Sequence, residues 1–207
     1  MIFFRVIEFL MISVSSSIVF YSLIRVFYGF ELSMFVGVVA GIGLAIVKLL
    51  EERAKNVAAV LATAGVGAIF GSSLGVYVSL LFLVLLSIYD YIAVFKTKHM
   101  VEMANYMVKN ELAFTVTARR YIPERKKEAR IDLGTGDLIA PIFVAVSSFE
   151  LGHYAPVFVV AGSTITLIVF LRLALKGKVV LPALPPLALG CIISLLVWYA
   201  AVLVRII

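Results

Sequence analysis

The sequence predicts an all-α protein, a polytopic transmembrane bundle of about seven helical spans. Three observations lead there. The 207 residues are 63% hydrophobic and 14% charged, with mean hydropathy +1.14, where a soluble domain carries about 25% charge. Apolar runs recur near the length of roughly 17–25 residues that crossing a bilayer requires. The basic residues, finally, are sorted to alternate connections in the way that cytoplasmic loops collect Lys and Arg.

The spans follow in order. Phe9–Phe30 is apolar apart from Arg25, which lies near one end and can snorkel. Leu32–Val47 ends at the charged turn Lys48–Asn56. Val57–Phe95 then runs 39 residues with no charge before Asp90. As one helix it would reach roughly 58 Å, about twice the hydrocarbon core, so it must fold back. Gly71-Ser72-Ser73 is the natural turn, giving a short Val57–Phe70 and a full Leu74–Phe95. Leu133–Leu151, Ala155–Leu175 and Val179–Val204 complete the seven.

Between the fourth and fifth spans lies the long polar loop, residues 96–132. Met100, Met103, Ala104, Met107, Val108 and Leu112 recur at helical spacing, which predicts an amphipathic helix in the membrane interface. Arg119–Arg130 reads as a solvated, mobile linker attracted to anionic lipid. With seven spans, 16 of the 18 Lys and Arg fall on one side. That places the N-terminus and loop 96–132 in the cytoplasm and the C-terminus outside a cell membrane.

No polar stretch could build a separate core, so residues 1–207 are expected to form a single membrane-embedded domain. The net charge of +6 reflects topology, and no nucleic-acid partner is implied. Cys191 stands alone in an apolar run, which leaves the redox compartment open. Arg5 precedes an apolar stretch too long for a signal peptide and without a small-residue cleavage site, so a retained anchor is expected.

Two acids break the pattern. Asp90 lies in Ile88-Tyr89-Asp90-Tyr91, and Asp137 in Leu133-Gly134-Thr135-Gly136-Asp137-Leu138. A carboxylate at membrane depth is disfavoured by about 2.5–3.5 kcal/mol on insertion scales, so each marks function. Asp90 precedes Lys96 by about 9 Å of helix, and Asp137 follows Asp132 by about 8 Å. Both therefore sit a turn or two inside the cytoplasmic boundary. Gly134 and Gly136 remove bulk where another backbone could approach. At the same level the last span opens with Pro182-Ala183-Leu184-Pro185-Pro186, which cannot start as regular helix. Irregular backbone at such depth belongs in a cavity or in buried protein.

Two close carboxylates resist ionising together, so one keeps a proton while the other is charged. The charged one can activate water against a peptide carbonyl, and the protonated one can donate to the carbonyl oxygen. No cofactor or metal is needed. His99 and His153, the only histidines, fall on opposite sides, which excludes a clustered zinc site and a Ser–His triad at this depth.

Tyr89-Asp90, Gly134-Thr135-Gly136-Asp137 and Pro182-Ala183-Leu184 resemble, in order, the YD, GxGD and PAL motifs of the presenilin and signal peptide peptidase family of intramembrane aspartyl proteases. The resemblance covers roughly Leu74 to Val204. It implies that Asp90 and Asp137 are the catalytic pair. It implies that Tyr89, Gly134, Thr135, Gly136, Pro182, Ala183 and Leu184 shape the active site and bind substrate, a transmembrane helix of another protein. That helix must unwind before attack, and backbone near Pro182–Leu184 is expected to pair with it as an added strand. The family fold has nine spans, so seven imply a member without the two N-terminal spans, or an incomplete chain. Thr135 replaces a leucine common in eukaryotic members, and the short loop looks archaeal. The oligomeric state is left open.

Other readings weigh less. A proton- or cation-coupled transporter or channel would explain paired acids but not the Pro-Ala-Leu segment meeting them, and no internal repeat is present. A prepilin-type peptidase shares a GxGD aspartate but not the other two motifs. Asp90 alone could be a structural, hydrogen-bonded acid; with Asp137 at matched depth, catalysis is the better account. Tyr89 could be an interfacial aromatic, the glycines mere packing sites, and Pro182 a helix starter. Glu150 and His153 mark the outer boundary.

Overall fold

The structure, a computed structural model, describes residues 2–51, 54–97, 115–122, 127–176 and 182–204. Among the described residues seven α-helices occur in the order α1 (Ile2–Arg25), α2 (Phe30–Leu50), α3 (Lys55–Ser73), α4 (Val76–Ile92), α5 (Thr135–Ser147), α6 (Ala155–Lys176) and α7 (Leu184–Leu203). Among the described residues six are long and apolar enough to cross a membrane, all but the 13-residue α5. The predicted helical bundle stands; of the seven spans expected, six have the length to cross, and the fifth, opened by Leu133 in the sequence reading, is too short.

Several details differ from the sequence reading. The stretch predicted to stop at Phe70 winds on to Ser73, so α3 is a full 19-residue helix and the turn falls at Leu74 and Gly75. The Leu74 amide still donates to the Phe70 carbonyl, closing the last turn beyond the glycine. The loop between α4 and α5 carries structure that charge alone concealed. Strands β1 (Thr115–Ile122) and β2 (Lys127–Gly134) pair antiparallel, from Thr115 opposite Gly134 to Ile122 opposite Lys127. The expected mobile linker across 119–130 is thus largely ladder. The expected interfacial helix over 100–112 lies outside the described residues.

Because β2 holds Leu133 and Gly134, α5 begins two residues later than the apolar run. It continues past Ser147 as a tighter 3-10 turn, Ser148–Glu150. At the start of α7 only Pro182 and Ala183 are irregular, since Pro185 and Pro186 occupy the first helical turn. There the missing N–H would have had no partner anyway.

The chain gathers into two compact units, each discontinuous in sequence. The first comprises residues 1–66 and 104–136. In it α1 and α2 pack backbone to backbone. A methyl at Gly41 would stand 2.6 Å from the Ser13 carbonyl oxygen, and one at Gly37 2.9 Å from the Tyr21 nitrogen. Small residues at a membrane helix contact permit that approach. Lys48 Nζ donates to Glu8 Oε1 with both side chains buried, so the charges come as a pair. Val116 of β1 packs on the small core formed by Ile12, Ala45, Ala58 and Ala59. Arg25 donates to the Tyr28 carbonyl, 3.1 Å away, and so covers the frayed end of α1.

The second unit comprises residues 67–103 and 137–207. Its core draws Val76 and Leu83 from α4, Phe143 and Val144 from α5, Val159 from α6, and Leu184, Cys191 and Leu195 from α7. Phe82 and Phe143 meet with ring centroids 5.8 Å apart, joining α4 to α5. Helices α6 and α7 touch at glycines: a methyl on Gly162 would stand 3.2 Å from the Gly190 carbonyl oxygen. This unit carries both intramembrane acids.

Candidate active site

Asp90 lies in the last turn of α4 and is only 5% exposed. Its Oδ2 accepts the backbone N–H of Leu184 at 3.2 Å, and the Ala183 amide faces the same carboxylate. The physical reason is at the start of α7. Ala183 is its capping position and has no side chain able to cap. Four N–H groups at a helix start have no intrahelical acceptor, and the helix dipole favours an anion there. Asp90 supplies both from a different span. The Ala183 carbonyl, in turn, accepts the Leu187 N–H.

Asp137 lies in the first turn of α5 and is half-buried. Pro141, four residues on, has no N–H to offer the Asp137 carbonyl, so the helix is open at this turn. Both carboxylates belong to the same compact unit. Asp137 also lines a cleft of about 180 Å³ with Pro141 and Ile142 of α5, Val160, Ser163 and Thr164 of α6, and Leu187 of α7. An apolar cavity of about 150 Å³ is enough for a benzene-sized group, so one large side chain would fit.

The other motif residues are distributed unevenly. Pro182, Ala183 and Leu184 are buried at the Asp90 carboxylate. Their backbone does not offer the strand edge expected from the sequence. The Leu184 amide is taken by Asp90 and the Ala183 carbonyl by the new helix, because α7 starts there. Tyr89 is 58% exposed and points away from the side on which Asp90 is buried, since neighbours on a helix are about 100° apart. Gly134 and Thr135 are half-buried. Gly136 is exposed, and a methyl there would meet nothing within 4 Å. The expected close backbone approach is absent at Gly136, which borders open space instead.

Sequence reasoning missed three features. The cleft hydroxyls Ser163 and Thr164 were legible only as polar residues inside the apolar run of α6. The role of Pro141 follows from its spacing to Asp137. Glu150, expected simply at the outer boundary, accepts the Val76 N–H at 3.0 Å.

Comparison with known proteins gives the family. The family model described as signal-peptide peptidase, presenilin aspartyl protease matches residues 1–206. A solved structure of a presenilin family intramembrane aspartate protease is similar with a TM-score of 0.62 and 27% identity, over 92% of this chain and 71% of that one. No curated protein matches. A match that takes in nearly every residue, joined to a shared fold, settles the family: the chain belongs to the signal-peptide peptidase and presenilin aspartyl proteases, and is a multi-pass aspartic endopeptidase acting within the membrane.

Proposed function

We propose that Asp90 and Asp137 are the catalytic pair and that the substrate is a transmembrane helix of another protein. The observation that carries this reading is the bond from the Leu184 amide to Asp90 Oδ2. It joins the acid of α4 to the Pro-Ala-Leu segment, and Asp137 lies in the same compact unit, on a cleft that Leu187 of α7 also lines. One acid, ionised, takes a proton from water as it attacks the scissile carbonyl. The other, protonated, donates to the carbonyl oxygen, and a proton then passes to the leaving amine. Both products leave as free termini with no covalent intermediate.

A helical substrate must first uncoil, because its carbonyls are engaged in the helix. The cleft lined by Asp137 gives room for one apolar side chain of the uncoiled segment. Pro182, Ala183 and Leu184 border the Asp90 side of this site, and Tyr89 lies next to Asp90 in the chain. We place the N-terminus and the hairpin in the cytoplasm, on the charge bias, and treat the whole chain as one proteolytic domain. Purified protein incubated with a single-span substrate tests the pair. Asp90→Ala and Asp137→Ala should each abolish cleavage while the protein stays folded; cleavage by either variant would refute it.

A further inference from the structure

Helix α4 begins without a cap of its own. Its capping position is Gly75, which has no side chain to offer, although its backbone (φ −65°, ψ 161°) is in the extended conformation a capping Ser or Asp adopts. The missing acceptor comes instead from Glu150, whose Oε2 takes the Val76 N–H at 3.0 Å. The glycine and the carboxylate fit one another: a methyl on Gly75 would stand 3.3 Å from that same oxygen. Glu150 closes the 3-10 turn Ser148–Glu150, which continues α5 without an intervening loop. One hydrogen bond thus ties the outer end of the Asp137 segment to the outer end of the Asp90 helix.

The lengths of the two arms are matched. From Val76 to Asp90 the helix advances 14 residues, about 21 Å. From Asp137 to Glu150 the chain advances 10 α-helical residues and three 3-10 residues, about 21 Å again. Arms of equal length joined at their outer ends bring their inner acids to one level. Between these points α4 and α5 meet through packed rings such as Phe82 and Phe143, and apolar contacts resist sliding far less than a directional bond does. Taking Asp90 and Asp137 as the catalytic pair, we propose that Glu150 is a positioning residue: by capping α4 from the end of the α5 segment, it sets the axial register at which the two acids face each other.

The test separates register from simple helix capping. Glu150→Ala should lower kcat roughly tenfold or more with KM within about twofold, since a displacement near 1 Å can lower rate about a hundredfold. Spin labels at Tyr91 and Leu138, in a Cys191→Ala background, should show a shifted or broadened distance. Glu150→Gln keeps an acceptor oxygen and should restore both. Adding Gly75→Ser to Glu150→Ala gives α4 a local cap; Tm should recover while kcat and the distance do not. Should Glu150→Ala fail to fold, Glu150→Asp, one methylene shorter, carries the same measurements. Unchanged kcat and distance in Glu150→Ala, or full recovery of kcat by Gly75→Ser, would overturn the inference. A shifted distance in a protein whose wild type cleaves nothing would uphold the register role and sink the catalytic pair instead.

Discussion

Asp90 illustrates how much one side chain carries. Its Oδ2 holds the first amide of α7, so removing the residue removes a helix cap as well as an acid. Asp90→Asn keeps an acceptor oxygen but not a carboxylate. It should lose cleavage by about 10²–10⁴-fold while retaining wild-type Tm. Asp90→Ala should lose the same activity and a further ~1 kcal/mol of stability with the cap. Equal Tm values for the two variants would show that the Leu184 contact is not a stabilising one. The pair also predicts a pH profile. Cleavage needs one protonated and one ionised acid, so kcat/KM should fall at low pH, where both hold protons, and at high pH, where neither does. A rate that rises monotonically across the range would exclude a shared proton.

Among the elements, α5 is the unusual one. At 13 residues it is too short to cross alone, because pairing with β1 claims Leu133 and Gly134 for β2. The strand leads straight into the helix, and Asp137 falls in the first turn rather than mid-span. Helices α6 and α7 make the opposite choice and run long. They approach at Gly162 and Gly190, where carbonyl oxygens lie within 3.2–3.3 Å of any added methyl. Gly190→Val should force them apart, with an overpacking loss of about 1–3 kcal/mol seen as a lower Tm in detergent. The lower start of α7 would move with it, so cleavage should weaken as well. An unchanged Tm would mean the helices can separate freely.

For the molecule as a whole, the membrane acts as a solvent that sorts the chain. Among the described residues six helices are long and apolar enough to cross it, and the expected seven-span topology would put 16 of 18 cations on one side. That asymmetry predicts orientation. In a Cys191→Ala background, a cysteine at Glu51 should react with an impermeant thiol reagent only in inside-out vesicles, and one at Tyr154 only in right-side-out vesicles. The reverse pattern would invert the topology. The buried Glu8–Lys48 pair belongs to the same logic, since a lone charge at that depth would be far more unfavourable than a matched one.

Hydropathy, charge bias and the spacing of acids are properties of the chain taken a few residues at a time. From them alone came the helical bundle, the expectation that Asp90 and Asp137 lie at one depth, and the family resemblance. The hairpin was partly legible, in the β-branched Thr115, Val116 and Thr117 and in Tyr121 and Ile122, but the surrounding charges read as solvated loop. Other features depend on contacts that local pattern does not encode. The partner of Asp90 lies 94 residues away at Leu184, and that of Glu150 lies 74 residues away at Val76. Which face of α4 turns inward decided that Asp90 is buried and Tyr89 exposed, and an apolar helix in lipid leaves that rotation unmarked. The sequence determined which stretches are apolar enough to cross a membrane and which charged groups interrupt them, because water and hydrocarbon discriminate residue by residue. Only the packed structure decided which of them touch, because side-by-side helix contact is settled by shape and by the pairing of orphan backbone groups.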